Sequence, residues 1–149
     1  MIVDTFPGRT LEIAEIFERY IEKFRLYLPT HEIKVFKSLE NTFQINYSTN
    51  GFRNWYYMES NCPRYETFLH LHISDELKFC YINSMSIDST QGWRNGYGGE
   101  LLSLVEDFAN EINCEEVQVY PTGEYMIPFF NKQKDYSERR MGVRIKRLI

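Results

Sequence analysis

The fold of this chain follows from one stretch of sequence, Trp93-Arg94-Asn95-Gly96-Tyr97-Gly98-Gly99-Glu100-Leu101-Leu102. An apolar segment at residues 77–87 precedes this stretch, and apolar side chains at helical spacing follow it. Glycine lets backbone N–H groups point into a loop without an obstructing side chain. A helix N-terminus adds unpaired N–H groups and the positive end of the helix dipole. The stretch therefore predicts a strand, a phosphate-binding loop and a helix.

Common phosphate-binding motifs do not match this loop. A dinucleotide-binding fingerprint needs a third glycine at the position of Leu101, and the glycine loop of protein kinases fails at the same position. A P-loop needs Gly-Lys-Ser/Thr, which this sequence lacks. Considered alone, the loop is equally compatible with a turn and helix start that bind no ligand.

Before the loop, the sequence predicts one helix and then antiparallel strands. Apolar residues at steps of three and four predict a helix over residues 10–28, capped by Thr10 and ended by Pro29. The predicted buried face of this helix is Ile13, Phe17, Tyr20, Phe24 and Leu28. Alternation predicts strands near 33–36 and over 43–48, 67–73 and 77–87, with an aromatic extended segment at 52–58 after the turn Asn50-Gly51.

After the loop, helices and strands alternate. The first helix buries a predicted face of Leu101, Leu104, Val105, Phe108 and Ile112. A strand at 117–120 and a helix over 121–132 follow, and Tyr136 and residues 143–148 complete the sheet. Antiparallel strands followed by strand–helix–strand–helix–strand–strand predict an α/β fold with an α+β mixed sheet, in a single domain over residues 1–149.

The composition excludes several classes of protein. The 149 residues suit one domain, and an aromatic fraction of 16% can build a large core, which excludes a disordered chain. A net charge of -4 disfavours nucleic acid as a partner. No apolar run approaches the roughly 18–20 residues of a membrane span, and no secretory signal is visible. Cys62, Cys80 and Cys114 fit neither a disulfide framework nor a zinc site, so we expect free thiols, no metal and a cytoplasmic location.

Residues 87–102 resemble motif A of the GNAT superfamily of N-acetyltransferases. In that family, an Arg/Gln-x-x-Gly-x-Gly/Ala loop grips the pyrophosphate of acetyl-CoA, and Gly96-Tyr97-Gly98 match its Gly-x-Gly part. Residues 121–136 look like motif B through Tyr125-Met126-Ile127-Pro128-Phe129-Phe130-Asn131-Lys132. The resemblance covers about residues 77–148. It implies a GNAT-like fold with an N-terminal helix, antiparallel strands and then β-α-β-α-β-β.

The resemblance also implies an activity and a set of ligand contacts. The expected activity is acetyl-CoA-dependent transfer of an acetyl group to an amine of a small molecule or protein, with an oligomer possible in principle and no membrane partner. A catalytically weak or inactive GNAT-fold module that binds CoA or a protein is the alternative, and an α/β protein that binds no nucleotide is a third. The implied cofactor contacts are Met85, Ser86, Ile87, Trp93, Arg94, Asn95, Gly96, Tyr97, Gly98, Gly99, Thr122 and Phe130.

Several positions depart from the family pattern. The first loop position, usually Arg or Gln, is Trp93, and the arginine is Arg94. Phe130 occupies the position of the tyrosine that commonly protonates the departing thiolate, and Gly123 that of the asparagine opening motif B, although Thr122 is adjacent. The link around Lys134 is one residue longer than usual. Of these departures, those at Trp93 and Phe130 distinguish the expectation of an active enzyme from that of an inactive module.

An amine acceptor must lose a proton before or during attack. The predicted bases are Asp88 at the strand end and His70 or His72 on the neighbouring strand, with Glu59 and Glu124 as weaker candidates. Each candidate also has a strong structural interpretation. Asp88 fits the cap of a turn, and His70 and His72, which share a sheet face with Phe68, fit hydrogen-bonded core residues. The acid missing at Phe130 has three possible replacements, Tyr125, Tyr136 and Ser137.

Two further features have competing interpretations. The basic C-terminus, with Arg139, Arg140, Arg144, Lys146 and Arg147, fits either a contact with the 3′-phosphate of CoA or nucleic acid, or a solvated edge strand. The acidic net charge favours the edge strand. The aromatic residues Trp55-Tyr56-Tyr57, Tyr47 and Tyr65 fit an acceptor pocket or partner surface as well as they fit a half-buried sheet face.

Overall fold

The computed structural model describes residues 2–4, 9–37, 42–48, 67–74, 76, 78–87 and 96–148. Its elements in chain order are β1 (Ile2–Asp4), α1 (Arg9–Ile21), β2 (Glu32–Lys37), β3 (Thr42–Ser48), β4 (Phe68–Ser74), β5 (Phe79–Ser86), α2 (Tyr97–Glu111), β6 (Glu116–Val119), α3 (Gly123–Asn131), β7 (Ser137–Arg140) and β8 (Val143–Arg147). The predicted order of helices and strands is confirmed. β1 is an addition, because three residues are too few to show an alternating pattern.

The strands form one mixed sheet in the order β1-β2-β3-β4-β5-β6-β8-β7. β2, β3, β4 and β5 are successive antiparallel neighbours, which confirms the predicted antiparallel set. β1 runs parallel to β2, and β5 runs parallel to β6 with α2 as the connection between them. β8 lies between β6 and β7 and is antiparallel to both. The β5–α2–β6 connection makes the end of β5 and the start of α2 lie at the same end of the sheet.

The hydrophobic core lies between one face of the sheet and the helices α1 and α2. Alternate residues of the central strands supply it, including Val35, Ile45, Leu69, Leu71 and Ile82, which are fully buried. α1 packs on α2 through Phe17 and Phe108, whose rings meet edge to face with centroids 5.2 Å apart. At the rim of this contact, Tyr20 Oη donates a hydrogen bond to Glu111 Oε1 at 2.7 Å.

α1 is shorter than the sequence predicts. It spans Arg9–Ile21, so Thr10 lies inside the helix and is not its cap, and residues 22–30 form turns. Phe24 is buried as predicted, but Leu28 is 57% exposed and lies outside the buried face. The N–H of Tyr27 donates to the carbonyl of Phe24 at 2.9 Å, a bond of the three-residue turn type. The helix therefore ends in tight turns well before Pro29.

β5 contains a bulge that decides which of its side chains enter the core. Its register with β4 shifts by one residue between Ile82 and Ser84, which makes Asn83 an extra residue in the strand. Because side chains alternate across a strand, the bulge directs Met85 into the core and keeps Ser84 and Ser86 on the opposite face. If Asn83 instead occupied a regular paired position in the strand, the side chains of Ser84, Met85 and Ser86 would exchange faces.

The basic C-terminus is divided between two strands. β7 is the edge strand, and Arg139 there bonds both carboxylate oxygens of Glu116, at 3.0 and 2.7 Å. β8 lies inside the sheet, and Lys146 Nζ is 3.0 Å from Glu106 Oε1. The interpretation as an edge strand is thus right for β7 and wrong for β8, which carries Arg144 among others.

Candidate functional site

The candidate site begins where β5 extends beyond β6. The two strands pair from Phe79 opposite Glu116 to Ile82 opposite Val119, where β6 ends. β5 continues through residues 83–86, which have no strand neighbour on this side among the described residues. Their backbone N–H and C=O groups on that side are available to a ligand. This is the strand end that the sequence assigns to the cofactor through Met85, Ser86 and Ile87.

The N-terminus of α2 lies at the same end of the sheet as this strand end. Gly96 precedes the helix with φ 81 and ψ 3, a left-handed conformation that glycine adopts without strain. The N–H of Glu100 donates to the carbonyl of Gly96 at 3.1 Å, and no side chain of the described residues caps the helix. Within the part of the chain that the structure describes, a Cβ added at Gly96 or Gly99 would meet no atom of another segment within 4 Å. The first turn therefore presents backbone N–H groups beside glycines that leave room for an anion.

Gly98 has a different role from its neighbours. It is buried, and a Cβ added there would collide with the Tyr125 hydroxyl and approach Phe129 Cε1 to 3.0 Å. The rings of Tyr125 and Phe129 stack at 5.9 Å with an interplanar angle of 7°. A larger residue at this position would have to displace the rings of Tyr125 and Phe129, so glycine lets the start of α2 lie directly against α3. The predicted loop and the predicted motif B thus meet at one contact.

Tyr125 is the predicted acid that lies closest to this helix start. Burial raises the pKa of its hydroxyl to about 12, so the group is protonated at neutral pH. Thr122 is exposed at the position just before α3, with φ -134 and ψ 152. Glu124, one of the weaker predicted bases, is exposed in the first turn of α3.

Phe130 lies in the interior and not at the surface of the site. Its side chain is 1% exposed and packs edge to face against Phe129 and Tyr136, with centroids 5.0 and 5.5 Å away. Tyr136 is buried as well, and its hydroxyl donates to Glu106 Oε2 at 2.9 Å. Tyr136 is therefore engaged with α2, while Ser137 begins the edge strand β7.

The two predicted histidines lie on the sheet face opposite the hydrophobic core. His70 is fully buried, and its Nδ1 shares a hydrogen bond of 3.1 Å with Ser84 Oγ. Burial, and to a smaller extent His72, lower the pKa of His70 to about 3. Burial also lowers the pKa of His72, whose ring lies 6.2 Å from that of Tyr81. Both imidazoles are neutral at pH 7, and His70 is a weak base for a protonated amine.

Arg25 is a residue of this region that the sequence does not single out. Its Nε is 2.6 Å from Glu100 Oε2, its backbone N–H donates to Glu100 Oε1 at 3.0 Å, and its guanidinium lies 4.7 Å from the centre of the Tyr97 ring. These contacts attach the turns after α1 to the first turn of α2. No local pattern indicates such a pairing, since the partners are 75 residues apart.

Several predicted site residues lie outside the described residues: Asp88, Trp93, Arg94, Asn95, Glu59, Trp55, Tyr56, Tyr57 and Tyr65. Tyr47 is described and is fully buried, with its hydroxyl bonded to His31 Nδ1, so it belongs to the core and not to an acceptor pocket. Within the described ranges, no group of three or more His, Cys, Asp or Glu side chains is arranged to hold a metal ion. None of the described helices is long and apolar enough to cross a membrane.

Comparison with known proteins identifies the fold. A scan of protein-family models and a search of curated proteins found no match. Among solved structures, Gcn5 from Tetrahymena is similar with a TM-score of 0.51 and 15% identity, over 93% of this chain and 86% of that one. An acetyltransferase from Bacillus cereus gives a TM-score of 0.49 and 15% identity over 95% of both chains. The chain has the GNAT acetyltransferase fold, as the sequence predicts.

Proposed function

We propose that this chain is an acyl-CoA N-acetyltransferase that moves the acetyl group of acetyl-CoA to an amine of a small molecule or protein. One observation carries the proposal. In a chain with the GNAT fold, β5 extends beyond the end of β6, at the end of the sheet where the glycine-rich first turn of α2 begins. Acetyl-CoA would supply a thioester carbonyl, which the acceptor amine attacks directly. The free, buried thiols of Cys80 and Cys114 agree with action in a reducing cytoplasm.

The residues of the site suit the two parts of this donor. The backbone of Met85, Ser86 and Ile87 would hold the pantetheine arm and orient the carbonyl, because this side of β5 lacks a strand neighbour among the described residues. The N–H groups of Tyr97, Gly98 and Gly99 would bind the pyrophosphate. Trp93, Arg94, Asn95 and Thr122 complete the proposed contacts. Phe130 would act indirectly, by supporting Phe129 against Gly98.

Proton transfer is proposed to use groups other than the usual tyrosine position. Tyr125 would donate a proton to the departing thiolate, since its hydroxyl is protonated and lies against Gly98 at the start of α2. Asp88 and His72 remain the proposed bases that take the proton of the amine. The lowered pKa of His70 argues against the same role for that residue.

Phe130 favours a second candidate, a GNAT-fold module that binds CoA or a protein without catalysis. A phenyl ring donates no proton, and this one is enclosed between Phe129 and Tyr136. The two candidates share the binding site and differ only in turnover. Assays with an amine panel separate them, because the module would bind acetyl-CoA and acetylate none of the amines.

The first test is calorimetric titration of acetyl-CoA and CoA, with ATP and NAD as comparison ligands. The expected result is selective binding of both CoA species at micromolar strength or tighter. Gly99→Glu should abolish it, because the added carboxylate would stand among the proposed phosphate-binding N–H groups, in a position where a Cβ meets no other atom.

Gly99→Ala is the matched control for this titration, and it should bind CoA with nearly the wild-type affinity. A substitution at Gly98 is less informative, since it would also disturb the contact with Tyr125 and Phe129. If wild-type protein fails to bind acetyl-CoA, or if Gly99→Glu binds it as well as Gly99→Ala does, the proposed site is wrong.

A further inference from the structure

One group of buried polar side chains crosses three neighbouring strands on the sheet face opposite the hydrophobic core. Asn46 on β3 pairs with His70 on β4, and His70 pairs with Ser84 on β5. In the next row, Ser48 and Ser86 flank Phe68. We call Asn46, Ser48, His70, Ser84 and Ser86 the polar face.

The five side chains of the polar face are uncharged, and four of them are buried. Asn46 and Ser86 are each 5% exposed, and His70 and Ser48 are fully buried. Ser84 is half-buried and shares its hydrogen bond with His70. In the same cross-strand rows, the adjacent strand β2 places the charged residues Lys34 opposite Asn46 and Glu32 opposite Ser48. The rows on β3, β4 and β5 therefore offer hydrogen bonds without a formal charge.

The polar face includes two buried oxygen atoms that have no hydrogen-bond partner among the described residues. They are the amide oxygen Oδ1 of Asn46 and the hydroxyl oxygen Oγ of Ser86. A buried polar group left without a partner costs about 1–3 kcal/mol, so native proteins rarely keep one without a use. Asn46 Oδ1 can accept a bond from a hydroxyl or N–H, and Ser86 Oγ can donate or accept one.

The polar face also reaches the end of the proposed donor site. Ser84 and Ser86 belong to the part of β5 that extends beyond β6, and the bulge at Asn83 is what directs both side chains to this face. A group bound across the polar face would therefore lie next to the backbone that is proposed to hold the acetyl group.

We propose that the polar face is the acceptor subsite, and that it selects an amine flanked by hydroxyl or amide groups over one flanked by hydrocarbon. This inference rests on the proposed acetyl transfer and adds the chemistry of the acceptor. Asn46 and Ser86 would bond the polar neighbours of the amine, and Ser84 would do so with its hydroxyl oriented by His70. A site that hydrogen-bonds its substrate rejects an analogue without those groups, because its own polar atoms are then left unpaired.

The test compares glucosamine with cyclohexylamine, two ring amines that differ in their hydroxyl groups. With saturating acetyl-CoA, the wild-type protein should prefer glucosamine by roughly a hundredfold or more in kcat/KM. Ser86→Ala and Asn46→Leu should each raise the KM for glucosamine roughly two- to tenfold and leave that for cyclohexylamine unchanged. Both should melt at the wild-type temperature or above, since they remove an unpaired buried atom.

The controls repeat the same changes at exposed positions of α2, as Ser103→Ala and Asn110→Leu. Equal use of the two amines, or equal KM values in the polar-face and control variants, would overturn the acceptor subsite while leaving acetyl transfer intact. If neither amine is acetylated, ligand-observed NMR tests whether glucosamine binds to the CoA-saturated protein. Binding that Ser86→Ala weakens supports the subsite, and absent or unchanged binding overturns it. The calorimetric titration measures acetyl-CoA binding separately, so a failure of the proposed donor site is distinguished from a failure of the acceptor subsite.

Discussion

At the scale of single residues, Tyr125 is the group whose removal tests the proposed chemistry most directly. Tyr125→Phe should lower kcat by roughly 10²-fold or more, because a positioned acid typically contributes 10²–10⁴ in rate. The affinity for acetyl-CoA should stay near the wild-type value, since the ring that stacks on Phe129 is kept. Steady-state kinetics and calorimetry on the same preparation measure the two quantities.

Tyr120→Phe is the matched control for this substitution. Tyr120 is 45% exposed and packs against Gly142 on the turn between β7 and β8. Equal kcat values for the two variants would remove Tyr125 from the mechanism.

The residues of the candidate site differ in how well the sequence predicts them. The glycine loop and the motif B helix are recognisable because both are local patterns of residue type. The requirement for glycine at Gly98 is a different matter, since it arises from contact with Tyr125 and Phe129 on another helix. Arg25 is missed for the same reason, because it meets Glu100 only in the folded chain. Local patterns cannot report such contacts between distant segments.

At the scale of elements, the bulge in β5 is the feature with the largest effect on the site. Insertion of one alanine between Ser84 and Met85 would shift the alternation of the residues that follow, so that Met85 and Ile87 leave the core face and Ser86 enters it. Such an exchange places polar side chains in the core and apolar ones outside it. We expect a loss of more than about 4 kcal/mol in the free energy of unfolding, enough to prevent folding of many domains.

Urea denaturation and far-UV circular dichroism measure this loss. Asn83→Ala is the control, because Asn83 is exposed and its substitution should change the free energy of unfolding by no more than about 0.5 kcal/mol. An insertion variant as stable as Asn83→Ala would show that the strand tolerates either register.

Element boundaries show where sequence periodicity stops being informative. The apolar spacing of α1 continues to Leu28, but the structure ends the helix at Ile21 and exposes Leu28. Periodicity describes which residues are able to share a face, and it does not detect turns that begin while the spacing persists. The bulge has the same origin, because one inserted residue in a segment such as 77–87 leaves its apolar character unchanged.

At the scale of the whole molecule, two buried histidines make stability depend on pH. Burial lowers the pKa of His31 from 6.5 to about 4 and that of His70 to about 3. Between pH 6.5 and these values the unfolded chain binds protons that the folded chain does not, so unfolding becomes more favourable as pH falls. Stability should be fully present above pH 6.5 and decline steadily down to about pH 3.

Thermal unfolding followed by circular dichroism from pH 7.5 to 3.5 measures this decline. His31→Gln should flatten the decline, because glutamine keeps a hydrogen-bond acceptor near Leu28 N and Tyr47 Oη and does not titrate in this range. An equally steep decline in this variant would mean that other groups control the acid transition.

The short pairing of β5 with β6 has a consequence for the motions of the molecule. Four register pairs join these strands, whereas β3 and β4 are joined by seven. Fewer ladder bonds would make this junction a place for partial opening, in which β6, β7 and β8 separate as a cooperative unit from the antiparallel strands β2–β5. The cleft that the short pairing creates would therefore also be a place where the sheet can open at a small cost in hydrogen bonds, which would give a long, narrow ligand arm a route in and out.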